Sequence, residues 1–89
     1  MPPDELRLLV RGRQLGPSGE GRAIRERAAV GLREAAQLLG VDPGTFSRWE
    51  TGQSVPRRAA AQRWARFVGY LEALEKEAAY FEALKRGTV

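Results

Sequence analysis

Apolar residues recur along this chain at helical spacing, in blocks set apart by glycine and proline. Leu32, Ala35, Ala36 and Leu39 fall at i, i+3, i+4 and i+7, the stripe of a short amphipathic helix. Gly40 follows, a residue that takes the left-handed cap conformation at little cost. Asp42 and Pro43 then supply an N-cap and a first helical residue, so another helix begins almost at once. It carries Phe46 and Trp49 three residues apart, runs to about Thr51 and is stopped by Gly52. Upstream, residues 20–29 are rich in Ala, Arg and Glu, with Ile24 and Ala28 on one face, and read as a helix broken before Leu32 by Gly31.

Beyond Pro56 the pattern is helical almost to the end. Trp64, Phe67, Leu71, Leu74, Ala78 and Phe81 are spaced alternately three and four apart, an a/d seam over nearly three heptads. Gly69 interrupts the seam and predicts a bend or a break, and residues 87–89 are expected to fray. At the other end, Pro2-Pro3-Asp4-Glu5 before Leu6, Leu8, Leu9 and Val10 predicts a short helix from about Pro3 to Val10, with a strand as the competing reading. Gly12, Gly16-Pro17-Ser18-Gly19 and Gly21 read as a linker or mobile loop. No Gly-Lys-Ser/Thr follows those glycines, which argues against a phosphate-cradling loop. The expected organisation is all-α: an N-terminal segment and flexible linker over 1–19, a compact domain over 20–69 and a C-terminal helix over 70–89.

Two short helices joined by a three-residue turn containing glycine define a helix-turn-helix, whose second helix enters the major groove of DNA. Charge agrees with a polyanionic partner. The formal net charge is +4, and all but Lys76 and Lys85 of the 15 basic side chains are Arg, the side chain best matched to phosphates and guanine edges. Residues 1–69 hold twelve Lys/Arg against seven Asp/Glu, and residues 70–89 three against four, so the front of the chain is the polyanion-facing part. Cysteine and histidine are both absent. That removes disulfides, zinc sites of the Cys/His kind, thiol nucleophiles and histidine acid–base chemistry, and the carboxylates form no pair with a base or pocket. No catalytic residue, cofactor or metal is expected. The lack of an apolar run near the ~20 residues of a membrane span, and of a signal-peptide pattern, predicts a soluble cytoplasmic protein.

The stretch from Val30 to Pro56, taken with Arg25, resembles the Cro/repressor-type (XRE-like, lambda-repressor-like) helix-turn-helix family of phages and bacteria. The residues that carry the resemblance are Arg25, Leu32-Arg33-Glu34-Ala35-Ala36, Leu39-Gly40-Val41, Thr45-Phe46-Ser47-Arg48-Trp49-Glu50, Gly52 and Pro56. It implies a lambda-repressor-like domain, here with an extended C-terminal helical segment. It further implies that Arg25 and Glu50 form a partly buried ion pair, and that bases are read from Pro43, Gly44, Ser47 and Arg48. Pro43 and Gly44 depart from the polar residues usual at those positions, which leaves more of the readout to Ser47, Arg48 and DNA shape. Gly31 stands where the family usually has a Ser or Thr N-cap.

Arg33, Thr45, Gln53, Ser54, Arg57 and Arg58 fit phosphate contacts, which set register without reading sequence. Arg57 and Arg58 open a helix, where the dipole disfavours cations, so an external anion accounts for them better than surface charge. Trp49 continues the buried face of Phe46 and is read as core rather than as a base-stacking platform. The distal seam of Leu74, Ala78, Phe81 and Leu84 extends past what a small domain needs and reads as a homodimer interface. The expected function is a double-stranded DNA-binding transcriptional regulator, a repressor by family habit. Two alternatives stay open: an antitoxin-type protein whose tail binds a protein partner, and an excisionase-like architectural DNA-binding protein.

Overall fold

A computed structural model describes residues 1–87 and contains five helices: α1 (Pro3–Gln14), α2 (Glu20–Arg27), α3 (Leu32–Leu39), α4 (Pro43–Glu50) and α5 (Arg58–Lys85). No strand is present among the described residues, so the all-α expectation is met. α1 packs on α5, α3 packs on α4, and α2 and α3 both rest on α5. The core lies where these meet. Leu15, Ile24, Ala35, Ala36, Leu39, Phe46, Trp49, Trp64, Val68 and Leu71 form one buried cluster.

Three aromatic rings occupy its centre. Phe46 meets Trp64 edge to face at a centroid distance of 5.5 Å and Trp49 at 6.2 Å, and the two indoles lie 6.0 Å apart. These are favourable aromatic geometries, worth about 0.5–1.5 kcal/mol per pair beyond burial. Trp49 is 7% exposed, so the core reading of that residue holds and base stacking is excluded.

The structure departs from the pattern-based reading in four places. α1 is the helix expected from Pro3, not the competing strand, but it runs four residues past Val10 and carries Gly12 as a packing residue. A β-carbon there would overlap the backbone carbonyl of Ala61 on α5. The loop between α1 and α2 is closed onto the core as well: Leu15 is 1% exposed, Gly16 backs onto the carbonyl of Trp49, and the Trp64 ring covers Gly21. Gly12, Gly16 and Gly21 therefore mark close approach, and Gly19 a left-handed turn at φ 75°, rather than a flexible linker.

Gly69 neither bends nor breaks α5, which is continuous from Arg58 to Lys85. A single glycine costs a helix about 1 kcal/mol, and flanking Val68 and Leu71 are anchored in the core. α2 ends earlier than expected, at Arg27, where Ala28 caps it and Ala29 takes a left-handed φ of 59°. The fraying expected over residues 87–89 lies mostly outside the described residues.

Candidate nucleic-acid interface

The α3–α4 unit is built by its turn. Gly40 caps α3 in the left-handed conformation at φ 72°, which L side chains rarely adopt. Its amide and that of Val41 donate back to the carbonyls of Gln37 and Ala36 at 3.1 and 2.9 Å. Asp42 then accepts from the amides of Gly44 and Thr45 at 2.9 and 3.3 Å and so starts α4. Ala35 and Ala36 are fully buried at the helix crossing, where larger side chains would push α3 and α4 apart.

α4 has two unlike faces. Phe46, Trp49 and Glu50 point into the core, while Gly44 and Arg48 are exposed and Pro43, Thr45 and Ser47 are half-buried. The Arg48 guanidinium donates to the Thr45 hydroxyl at 3.3 Å and so lies along the outer face of the helix. The amides of Gln53 and Ser54 both donate to the Arg48 carbonyl, at 2.9 and 3.2 Å, which folds the loop after α4 back against its end. Gly44, Thr45, Ser47, Arg48, Gln53 and Ser54 therefore occupy one end and one face of the α3–α4 unit. Arg33 is exposed on the first turn of α3, and Arg57 caps the start of α5.

Ion pairing separates the arginines into two groups. Arg11 bridges Glu72 and Glu20 at 2.8 and 3.1 Å, Arg22 meets Glu26 at 3.5 Å, Arg27 meets Glu75 at 3.3 Å, and Arg58 meets Glu5 at 3.7 Å. By contrast, Arg33, Arg48 and Arg57, like Arg7, Arg13, Arg63, Arg66 and Arg86, have no carboxylate partner among the described residues. The charge of Arg33, Arg48 and Arg57 is thus not neutralised by a carboxylate among the described residues. Arg58 differs from its expected role in being shared with Glu5, although both side chains are largely exposed and the pair is weak.

Behind this face, Arg25 and Glu50 are joined as a fork. Arg25 Nε and Nη2 donate to the two Glu50 carboxylate oxygens at 2.7 and 2.9 Å, and Nη1 donates to the Val30 carbonyl at 2.9 Å. Hydrogen bonding to Glu50 raises the Arg25 pKa above the usual arginine range, and burial opposes that rise only in part. The pair ties α2 to the end of α4 and removes the Glu50 charge from the outer face.

Two positioning residues escaped the reading of the sequence. Glu34 is more than surface charge: its carboxylate accepts the Gly31 amide at 2.8 Å, the half of a capping box that does not need an N-cap side chain. The three-residue spacing from Gly31 to Glu34 is the second half of a capping box and was the available signal. Gln62 donates to the Glu5 carbonyl at 3.1 Å and fastens α1 to α5, a contact with no local signature. Leu74, Ala78, Phe81 and Leu84 are all exposed on the distal part of α5.

Residues 22–78 match a family model described as a helix-turn-helix domain. No curated protein and no solved structure matches the chain.

Proposed function

The chain belongs to this helix-turn-helix family, of the Cro/XRE-like type, and on that premise we propose that it is a sequence-specific double-stranded DNA-binding regulator. It acts by occupancy, without catalysis: α4 enters the major groove, and the protein blocks an operator as a repressor does. The observation that carries this reading is the α4 outer face, where Arg48 is exposed, unpaired by any described carboxylate and aligned beside Thr45. Arg48 reads a guanine edge through two parallel donors, and Ser47 adds a shorter-range base contact. Pro43 and Gly44 bring the start of α4 close to the bases. Arg33, Thr45, Gln53, Ser54 and Arg57 hold phosphates, and Arg58 joins them once it leaves Glu5.

Two such chains, paired through Leu74, Ala78, Phe81 and Leu84, present two copies of α4 to a two-fold site in a bacterial cytoplasm. Selection from a random duplex pool tests the reading. Recovery of a shared, two-fold-symmetric site supports it; binding without enrichment, with only a steep salt dependence, rejects sequence reading.

The exposed Tyr70, Tyr80 and Phe81 favour one alternative, an antitoxin-type regulator whose tail grips a protein partner. A stoichiometric partner that co-purifies and is lost on truncating α5 after Leu71 would favour it. The excisionase-like reading has less support, since the described residues offer no β-hairpin wing.

A further inference from the structure

α5 leaves the core after Leu71, and a groove of about 330 Å³ opens where it passes the end of α2. Ala28 and Val30 wall one side, Leu71, Leu74 and Ala78 the other, and the Arg27–Glu75 pair joins the two walls at 3.3 Å. Three residues beyond Ala78 on the same helix, Phe81 is 51% exposed and lies outside the core cluster, its ring edge-on to Tyr80 at 5.6 Å.

We infer that the groove of each chain receives Phe81 of a second copy, with the two α5 helices crossing antiparallel near Ala78. The inference rests on the dimeric reading above and adds its orientation, its pocket and its charge contact. Groove and aromatic knob lie on one helix, on either side of Ala78. A two-fold axis near Ala78 therefore carries each Phe81 onto the other groove in a single arrangement, as an isologous interface requires. Parallel pairing sets Phe81 against Phe81 and leaves both grooves empty. Alanine at the crossing also allows the closest approach of the helix axes.

Charge is compatible with the same orientation, because Arg27 lies between Glu75 and the Glu82 that the pairing brings beside it. Glu82 follows Phe81, so seating the ring brings this carboxylate to the partner's Arg27, whose guanidinium then bridges Glu75 of its own chain and the incoming Glu82. In a parallel pair with Leu74 and Ala78 at seam positions, Glu77 of one helix faces Glu82 of the other twice per dimer, like charge on like charge.

The experiment measures self-association of the full chain by sedimentation or light scattering over a range of concentrations. Wild type is expected to be dimeric at micromolar concentration. Phe81→Ala, which removes an exposed ring and leaves the core intact, should weaken the dimer by at least about tenfold. Arg27→Glu and Glu82→Arg should each weaken it, and the chain carrying both should recover most of the loss, because the opposite charges meet again across the interface. A monomeric wild type, an unaffected Phe81→Ala dimer, or a double variant no tighter than the single ones would overturn the pairing. Enrichment of a DNA site by a monomer would leave the DNA-reading proposal standing, so the two failures are distinguishable.

Discussion

Arg25 and Glu50, twenty-five positions apart in the chain, close a two-bond fork of 2.7 and 2.9 Å in the wall of the core, and a third donor of Arg25 reaches the Val30 carbonyl. Both side chains are buried, so removing one strands the other's charge away from water. Arg25→Ala and Glu50→Ala should each lose about 3–5 kcal/mol of stability in denaturant unfolding. Arg25→Lys should recover only part of that, since an ammonium cannot make the fork. Because the folded-state pKa of Arg25 is raised, its contribution is fully present below the ordinary arginine pKa and is lost only as pH rises past the raised value. A loss of the Arg25 contribution near neutral pH would contradict this assignment.

Gly12 sets two general rules against each other. In an exposed helix interior, Gly→Ala stabilises by about 1 kcal/mol. Here the added methyl would enter the Ala61 carbonyl, a backbone group that cannot rotate aside. Overpacking is therefore expected to win, and Gly12→Ala should destabilise by about 1–3 kcal/mol. A rise in the melting temperature would show that α1 sits more loosely on α5 than the structure has it.

These two sites show how much of the molecule was legible in the sequence. The α3–turn–α4 unit was readable because its signals are local: the apolar stripe Leu32 to Leu39, Gly40 at the turn, and Asp42-Pro43 at the next helix start. The α1–loop segment was misread because Gly12, Gly16 and Gly21 have the composition of a linker. Their partners, Ala61, Trp49 and Trp64, lie far along the chain, and only the fold reveals that glycine is needed for contact. Gly69 was misread for the converse reason: local helix propensity was outweighed by the anchoring of Val68 and Leu71 in the core. At the candidate site, the positions along α4 came from the family resemblance, whereas the Glu5–Arg58 and Gln62–Glu5 contacts depend on where α1 docks.

Asp42 links stability to the α4 face. Its carboxylate accepts two amide hydrogens of the first turn, so Asp42→Ala should lose about 1 kcal/mol, with most of that restored by Asp42→Asn. The frayed first turn would also displace Thr45 from Arg48. A DNA affinity unchanged while stability falls would separate the cap from the reading face.

The central claim is that Arg48 reads a base, and selection from a random duplex pool with wild type, Arg48→Ala and Arg33→Ala tests it most directly. Arg48→Ala is expected to lose base preference at one position of each half-site, with about 1–3 kcal/mol of discrimination gone there. Arg33→Ala, the phosphate control, should keep the same preferred sequence while binding weakens evenly and the salt slope falls by about one. If Arg48→Ala instead retains the full preferred sequence and merely binds more weakly, Arg48 touches only the backbone. The account of α4 as a reading helix centred on Arg48 would then be contradicted.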